Sequence, residues 1–285
     1  MVFLKIIFCL IILITTPLES DSFELVEIDS YSWNNSETTE ISIYDEKRNL
    51  IFSTNPSKNK IDIFSFKDNK ITHLEEIFLK KYGLKPNSIA INKDLILAVA
   101  IENIYSQDNG VVVFFDRFNQ YLFDIEVGAM PDMIIFNKKG NELIVANEGE
   151  PSQDLLNDPD GSISIIDLNS RVSKTYTFEK FNKNHSIRKI LDVNLSQDLE
   201  PEYLTISEDE KYIFVSLQEN NAIAVFDYTS KKFISIFSLG YKSYKLNKID
   251  VNDKDFKANL QNWPIKGLYQ PDAIVFLPYK KTLLD

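Results

Sequence analysis

The residues best suited to chemistry crowd into one stretch, 145–167, which reads VANEGEPSQDLLNDPDGSISIID. Glu148, Glu150, Asp154, Asp158 and Asp160 supply carboxylates, and Asn147 and Asn157 supply amide oxygens. Gly149 and Gly161 permit tight turns. Ca2+ takes roughly six to eight oxygen ligands of these kinds from loops that wrap around it. The stretch is therefore a candidate Ca2+ site, with Asn147, Glu148, Glu150, Asp154, Asp158 and Asp160 as ligands. The spacing is not that of an EF-hand. Mg2+ fits less well, because it keeps its waters and uses fewer protein ligands. The plain alternative is a solvated turn whose Asp and Asn side chains bond their own backbone.

Other chemistries find little support. The chain has two histidines, His73 in a strand-like run and His185 in a polar insertion, and neither shows zinc-ligand spacing. There is no Gly-x-Ser-x-Gly elbow and no P-loop. No catalytic residue is assigned, although a hydrolase working through carboxylate-held metals is conceivable. Glu200 and Glu202 flank Pro201, and Gln218, Glu219 and Asn220 occupy the equivalent loop of the next unit. These groups either join one polar site or remain ordinary loop residues.

The elements that must position these residues repeat. Four segments open with Pro, a polar residue and then alternating apolar residues: PNSIAI at 86, PDMIIF at 131, PEYLTI at 201 and PDAIVF at 271. A weaker version, TTEISI, starts at Thr38. Polar turns follow at 45–49, 92–94, 137–141 and 207–211. Second apolar runs come at 50–53, 95–100, 143–146 and 212–217. Third runs fall at 60–66, 110–116, 161–167 and 221–227, and fourth runs at 71–78, 121–127, 175–178 and 233–239. Asp116, Asp167 and Asp227 end the third runs and read as turn formers. Period-2 alternation argues for strands, and four short strands recurring at about 40–50 residues define a β-propeller blade. The expected fold is all-β: a propeller over 36–285, with blades starting near 38, 86, 131, 201 and 271. Four blades are complete, the fifth is only begun, and insertions lie at 169–199 and 241–270. On this reading the propeller is incomplete, and a shortened, non-functional product of a longer gene is one possible identity.

Bulk properties narrow the partners. The formal net charge is −11, with 42 Asp and Glu against 31 Lys and Arg. Nucleic acid and anionic membrane would repel such a chain, whereas cations would be drawn to it. Residues 1–20 read as a secretory signal peptide: Lys5, an apolar run over 6–14, then Thr15, Thr16 and Pro17. The apolar run is short for a membrane span, so no transmembrane segment is expected after its removal. The single cysteine, Cys9, lies inside it, leaving the mature chain without disulfide, thiol nucleophile or Cys–zinc site.

The ordered series VANEGEP at 145, NDPDGSISIID at 157, EPEY at 200, SLQENNAIAV at 216 and PDAI at 271 resembles the choice-of-anchor I family. That family includes bacterial secreted proteins labelled alkaline-phosphatase-like and the mesenchyme-specific cell-surface glycoproteins of biomineralising animals. The resemblance implies a propeller with YVTN- or WD40-like repeats, secreted or held at the cell surface (periplasmic in a Gram-negative bacterium). It supplies no reaction. The expectation is a non-enzymatic binding module for an extracellular protein, glycan or mineral ions, with Ca2+ bound in the 147–161 loop. The alternative is an extracellular metal-dependent phosphoesterase.

Overall fold

The computed structural model describes residues 25–33, 37–252 and 254–278, so the expected signal peptide at 1–20 lies outside the described residues. Among the described residues, no helix is long and apolar enough to cross a membrane.

Four four-stranded antiparallel blades follow one another along the chain. Blade 1 comprises β1 (Ser42–Asp45), β2 (Leu50–Asn55), β3 (Lys60–Lys67) and β4 (Lys70–Phe78). Blade 2 comprises β5 (Pro86–Ile91), β6 (Leu97–Ile101), β7 (Asn109–Phe115) and β8 (Tyr121–Ala129). Blade 3 comprises β9 (Pro131–Phe136), β10 (Glu142–Asn147), β11 (Ser162–Asp167) and β12 (Val172–Thr177). Blade 4 comprises β13 (Pro201–Ile206), β14 (Tyr212–Leu217), β15 (Ala222–Asp227) and β16 (Lys232–Ser238). The expected four-strand unit is thus present four times, and the first strands β1, β5, β9 and β13 are neighbours around the channel.

Central strands are buried on both faces, which is why they read as continuous apolar runs. On β6, Leu97, Val99 and Ile101 pack toward blade 1, while Ala98 and Ala100 pack toward blade 3. On β10, Leu143 and Val145 join blade 2, while Ile144 and Ala146 join blade 4. The core is a series of inter-blade layers, each built from the alternate faces of neighbouring sheets.

Each inner strand ends in a polar turn residue whose side chain accepts backbone N–H groups. Asp45 accepts from Lys47, Asn92 from Asp94 and Ile96, Asn137 from Asn141 and Glu142, and Ser207 from Lys211 and Tyr212. Counting back five residues from each gives Glu40, Asn87, Asp132 and Glu202. The first unit is therefore shifted by one from its expected start: Thr39, not Thr38, stands where the later units have Pro. Asp116, Asp167 and Asp227 likewise accept from backbone N–H groups just beyond them and close turns as expected.

The two insertions differ. Residues 178–199 return to the body, with Phe178, Ile187, Leu195 and Leu199 in the layer between blades 3 and 4 and a one-turn helix α1 (Leu195–Asp198). Residues 241–270 form an exposed arm with two short ladders, β17 (Lys242–Ser243) with β20 (Lys266–Gly267) and β18 (Lys248–Ile249) with β19 (Gln261–Asn262). Asn221 holds both feet of this arm: its amide donates to Gly240 O at 2.7 Å and accepts from Tyr269 N and Gln270 N at 2.8 and 3.0 Å.

The expected opening strand of a fifth unit, at 271, is not formed among the described residues. An inner strand takes its ladder partner from the second strand of its own blade, and no described segment supplies one. Residues 272–277 lie over blade 4 instead, with Phe276 N donating to Thr205 Oγ1 at 3.1 Å and its ring stacked on Phe214 at 5.8 Å.

Candidate functional site

In an antiparallel blade, the start of the first strand and the end of the second lie side by side. In blade 3, Pro131 is therefore paired with Asn147. The polar residue after each opening Pro then points to the same end of the channel as the residue after each second strand. Glu40, Asn87, Asp132, Glu202 and Asp272 line one cleft of about 490 Å3 there. Glu148 arrives from the other side, held by its N–H to Met130 O at 3.0 Å. Gly149 follows with φ +68°, where a Cβ would approach Asp160 O to 3.0 Å, so the turn past Glu148 suits glycine.

Carboxylate oxygens of Asp132, Glu148 and Glu202 lie within 4.8 Å of one another. Burial pushes Glu148 up to about 10, helped by the charges of Asp132, Glu202, Glu150 and Glu200. Burial, reinforced most by the charges of Glu219 and Glu150, raises Glu200 to about 8. Burial, then Asp132 and Glu219, raises Glu202 to about 7. Asp132 rises to about 6, from burial and Glu40, with Lys85 opposing. Like charges gathered in a partly desolvated place favour either protons or a bound cation.

The structure divides the six residues expected to share one Ca2+. Glu148 joins the channel mouth, and Glu150 contributes there as a neighbouring charge. Asn147 is fully buried and donates to Ser162 Oγ and Ser164 Oγ at 3.1 and 3.0 Å, tying β10 to β11. Asp154 closes its own loop, accepting from Ser152 Oγ and Leu156 N. Asp158 and Asp160 line a separate pocket with Glu179, Asn182, Asn194, Ser196 and Gln197. Asp132, Asp272 and Glu40 were not singled out from the sequence as ligands. Their signal was the Pro-polar opening itself, read there only as a mark of the repeat.

A second cluster of possible ligand atoms joins Asp62, His73 and Glu76 in blade 1. It already holds a cation. Lys60 Nζ lies 3.0 Å from Asp62 and 3.1 Å from Glu37, and also bonds Glu76. Trp33 stands 4.5 Å from the ammonium, in the range of a cation–π contact. Burial works against the Lys60 charge, yet its hydrogen bonds to Glu76, Asp62 and Glu37 outweigh it and raise its pKa. His73 stacks on Tyr31 and meets Asp62 at 3.2 Å; His185 is exposed on the insertion.

Comparison with known proteins agrees with the architecture. No curated protein sequence matches the chain. Among solved structures, hydrazine synthase from Kuenenia stuttgartiensis is similar at TM-score 0.50 and 12 % identity, over 68 % of this chain and 61 % of that one. A protein from Lactobacillus plantarum is similar at TM-score 0.50 and 14 % identity, over 81 % of this chain and 72 % of that one. The chain thus spans less than two thirds of the hydrazine synthase chain, and at these identities the likeness concerns fold alone. The description of the choice-of-anchor I domain matches residues 40–282, which covers all four blades and the residues of the channel mouth. The chain belongs to the choice-of-anchor I domain family.

Proposed function

We propose that the protein is a non-enzymatic, surface-associated propeller that binds its ligand at the channel mouth, and that a Ca2+ ion held by Asp132, Glu148 and Glu202 completes that mouth. The observation that carries this reading is the approach of three carboxylates, from β9, β13 and the residue just past β10, to within 4.8 Å without an ammonium or guanidinium among the residues that line the cleft. Hard oxygen donors on strand ends and adjoining loops suit Ca2+ better than zinc. With the ion bound, the mouth offers open coordination positions to the acidic or hydroxyl groups of a surface protein, a glycan or a mineral. Extracellular or cell-surface placement accords with the family and with the signal-like sequence at 1–20.

A phosphoesterase fits less well. Among the described residues the cleft is lined by Glu40, Asp132, Glu202 and Asp272 and by no Lys, Arg or His, so nothing beside a bound ion is placed to steady a transferring phosphoryl group. The test is thermal unfolding in EDTA and in millimolar Ca2+, together with a phosphatase assay. A transition raised by Ca2+ in the natural chain but not in Glu148→Gln, without turnover, supports the binding module. Turnover that disappears in Glu148→Gln would replace it with the hydrolase. Indifference to Ca2+ would remove the ion from the mouth.

A further inference from the structure

The exposed arm at 241–270 differs in charge from the body that carries it. It holds six lysines against three aspartates, in a chain of formal net charge −11. All three aspartates, Asp250, Asp253 and Asp255, fall in the outer turn at 250–260. The ladder regions, 241–249 and 261–270, contain no Asp or Glu but keep Lys242, Lys245, Lys248 and Lys266. These four residues are exposed, and among the described residues none of them forms an ion pair.

The lysines are mounted on a cross-bonded ribbon. Beyond its two ladders, Tyr244 N donates to Ile265 O at 3.1 Å, Trp263 N to Tyr244 O at 2.9 Å and Asn262 Nδ2 to Lys245 O at 3.0 Å. The register sets Lys266 opposite Ser243, on the face of Tyr241, and Lys242 opposite Gly267, on the face of Tyr244. Lys266 Nζ accordingly lies 3.7 Å from the Tyr241 ring centroid, and Lys242 Nζ 5.4 Å from that of Tyr244. A Cβ at Gly267 would come within 2.9 Å of Tyr244 Cε2, so glycine lets that ring lie against the ladder. Each face of the ribbon thus carries a lysine beside a tyrosine, and Tyr241 and Tyr269 are half exposed. Ammonium groups without carboxylate partners, set beside open ring faces, suit a ligand that is anionic and also has flat apolar surface.

We infer that the base of the arm is a binding surface for an acidic polysaccharide, whose anionic groups pair with Lys242, Lys245, Lys248 and Lys266 and whose sugar rings lie against Tyr241 and Tyr269. A charged sugar carries a face of C–H groups beside its anionic substituent, which matches a tyrosine beside a lysine. An acidic polypeptide matches the lysines and leaves the rings unused. An anionic membrane fits badly. It is flat, so it meets one face of the ribbon, and it reaches the outer turn with Asp250, Asp253 and Asp255 before the lysines. A flexible polymer can wrap both faces. The acidic body does not forbid the contact, because charges more than about 8 Å away are largely screened at physiological ionic strength. This surface lies outside the proposed Ca2+ site and needs no metal.

The test uses the whole chain in EDTA at physiological salt, with chondroitin sulfate as the probe and calorimetry as the readout. Poly-L-glutamate and phosphatidylglycerol vesicles represent the competing classes. The natural chain should bind chondroitin sulfate, and more weakly as salt is raised. The fourfold variant Lys242→Gln/Lys245→Gln/Lys248→Gln/Lys266→Gln should bind about tenfold more weakly or worse, the sum of four modest exposed ion pairs. Tyr241→Ala/Tyr269→Ala should weaken chondroitin sulfate and leave any binding of poly-L-glutamate unchanged. All six side chains are exposed, so an unaltered urea midpoint shows that the variants fold. Binding should persist in Glu148→Gln, which separates this surface from the mouth. Absence of binding, undiminished binding in the fourfold variant, or equal affinity for poly-L-glutamate or vesicles would overturn the inference. So would binding that needs Ca2+ and is lost in Glu148→Gln, which would assign the polysaccharide to the mouth.

Discussion

Blade 1 and the channel mouth each gather three carboxylates, and they resolve the resulting repulsion in different ways. In blade 1, Glu37, Asp62 and Glu76 surround Lys60, whose side chain is 4 % exposed, and the positive charge is part of the chain. At the mouth, Asp132, Glu148 and Glu202 come within 4.8 Å of one another, and raised carboxyl pKa values take the place of an ion pair. A cluster neutralised from within serves the fold. One that lacks an internal cation is left to be neutralised by protons or, on the reading proposed above, by a bound ion.

The strongest way to break the contrast is to make blade 1 resemble the mouth. Lys60→Met should cost about 3–5 kcal/mol, because it leaves buried carboxylates uncompensated, and urea unfolding at neutral pH measures it. Partial recovery of that loss by Ca2+ would sharpen the comparison, since the vacated place would then behave as the mouth is proposed to. Next in size is the effect of Ca2+ on the natural chain. At a hundred times the dissociation constant it should add about 2.7 kcal/mol to stability, and Glu148→Gln should abolish the part that arises at the mouth.

Third comes pH. The folded mouth retains protons that the unfolded chain releases above the ordinary carboxylate range. In EDTA, the stability that these groups contribute should therefore be fully present below about pH 4, under their ordinary values. It should decline as pH rises through about 6, 7, 8 and 10, the values of Asp132, Glu202, Glu200 and Glu148. Each retained proton contributes a slope of at most about 1.4 kcal/mol per pH unit. Denaturation midpoints from pH 5 to 9 should fall in EDTA and flatten in Glu148→Gln; a rising curve would refute the cause given. The smallest effect is at blade 1. Trp33→Leu removes the ring near the Lys60 ammonium and should cost about 0.5–1 kcal/mol from the cation–π contact, read as a shift in urea midpoint at constant slope.

Much of the frame was legible because the blade repeats in the chain. The alternation in LAVAI and ELIVAN marks strands, and the Pro-polar openings mark the inner edge. The site was harder to read because it is assembled across the ring. Asp132 and Glu202 are 70 residues apart, and the curvature of the ring brings them together. Grouping by nearness in sequence placed Asp154, Asp158 and Asp160 with Glu148, yet Asp154 closes its own turn and Asp158 and Asp160 line a neighbouring pocket. The Lys60 cluster was concealed for a related reason. Lys60 and Asp62 are two residues apart and share a face of β3, but Glu76 joins them through the pairing of Asp62 with Glu76 across β4, a register that composition does not reveal.

The grip of Asn221 on both feet of the exposed arm has a consequence for how this chain can change. With Gly240 at one end and Tyr269 and Gln270 at the other fastened to a single amide, blade 4 is closed before the arm departs. What hangs beyond the clasp can lengthen, shorten or be exchanged for an unrelated sequence with little cost to the blade. The position is a natural port for grafting a reporter or affinity module onto the propeller.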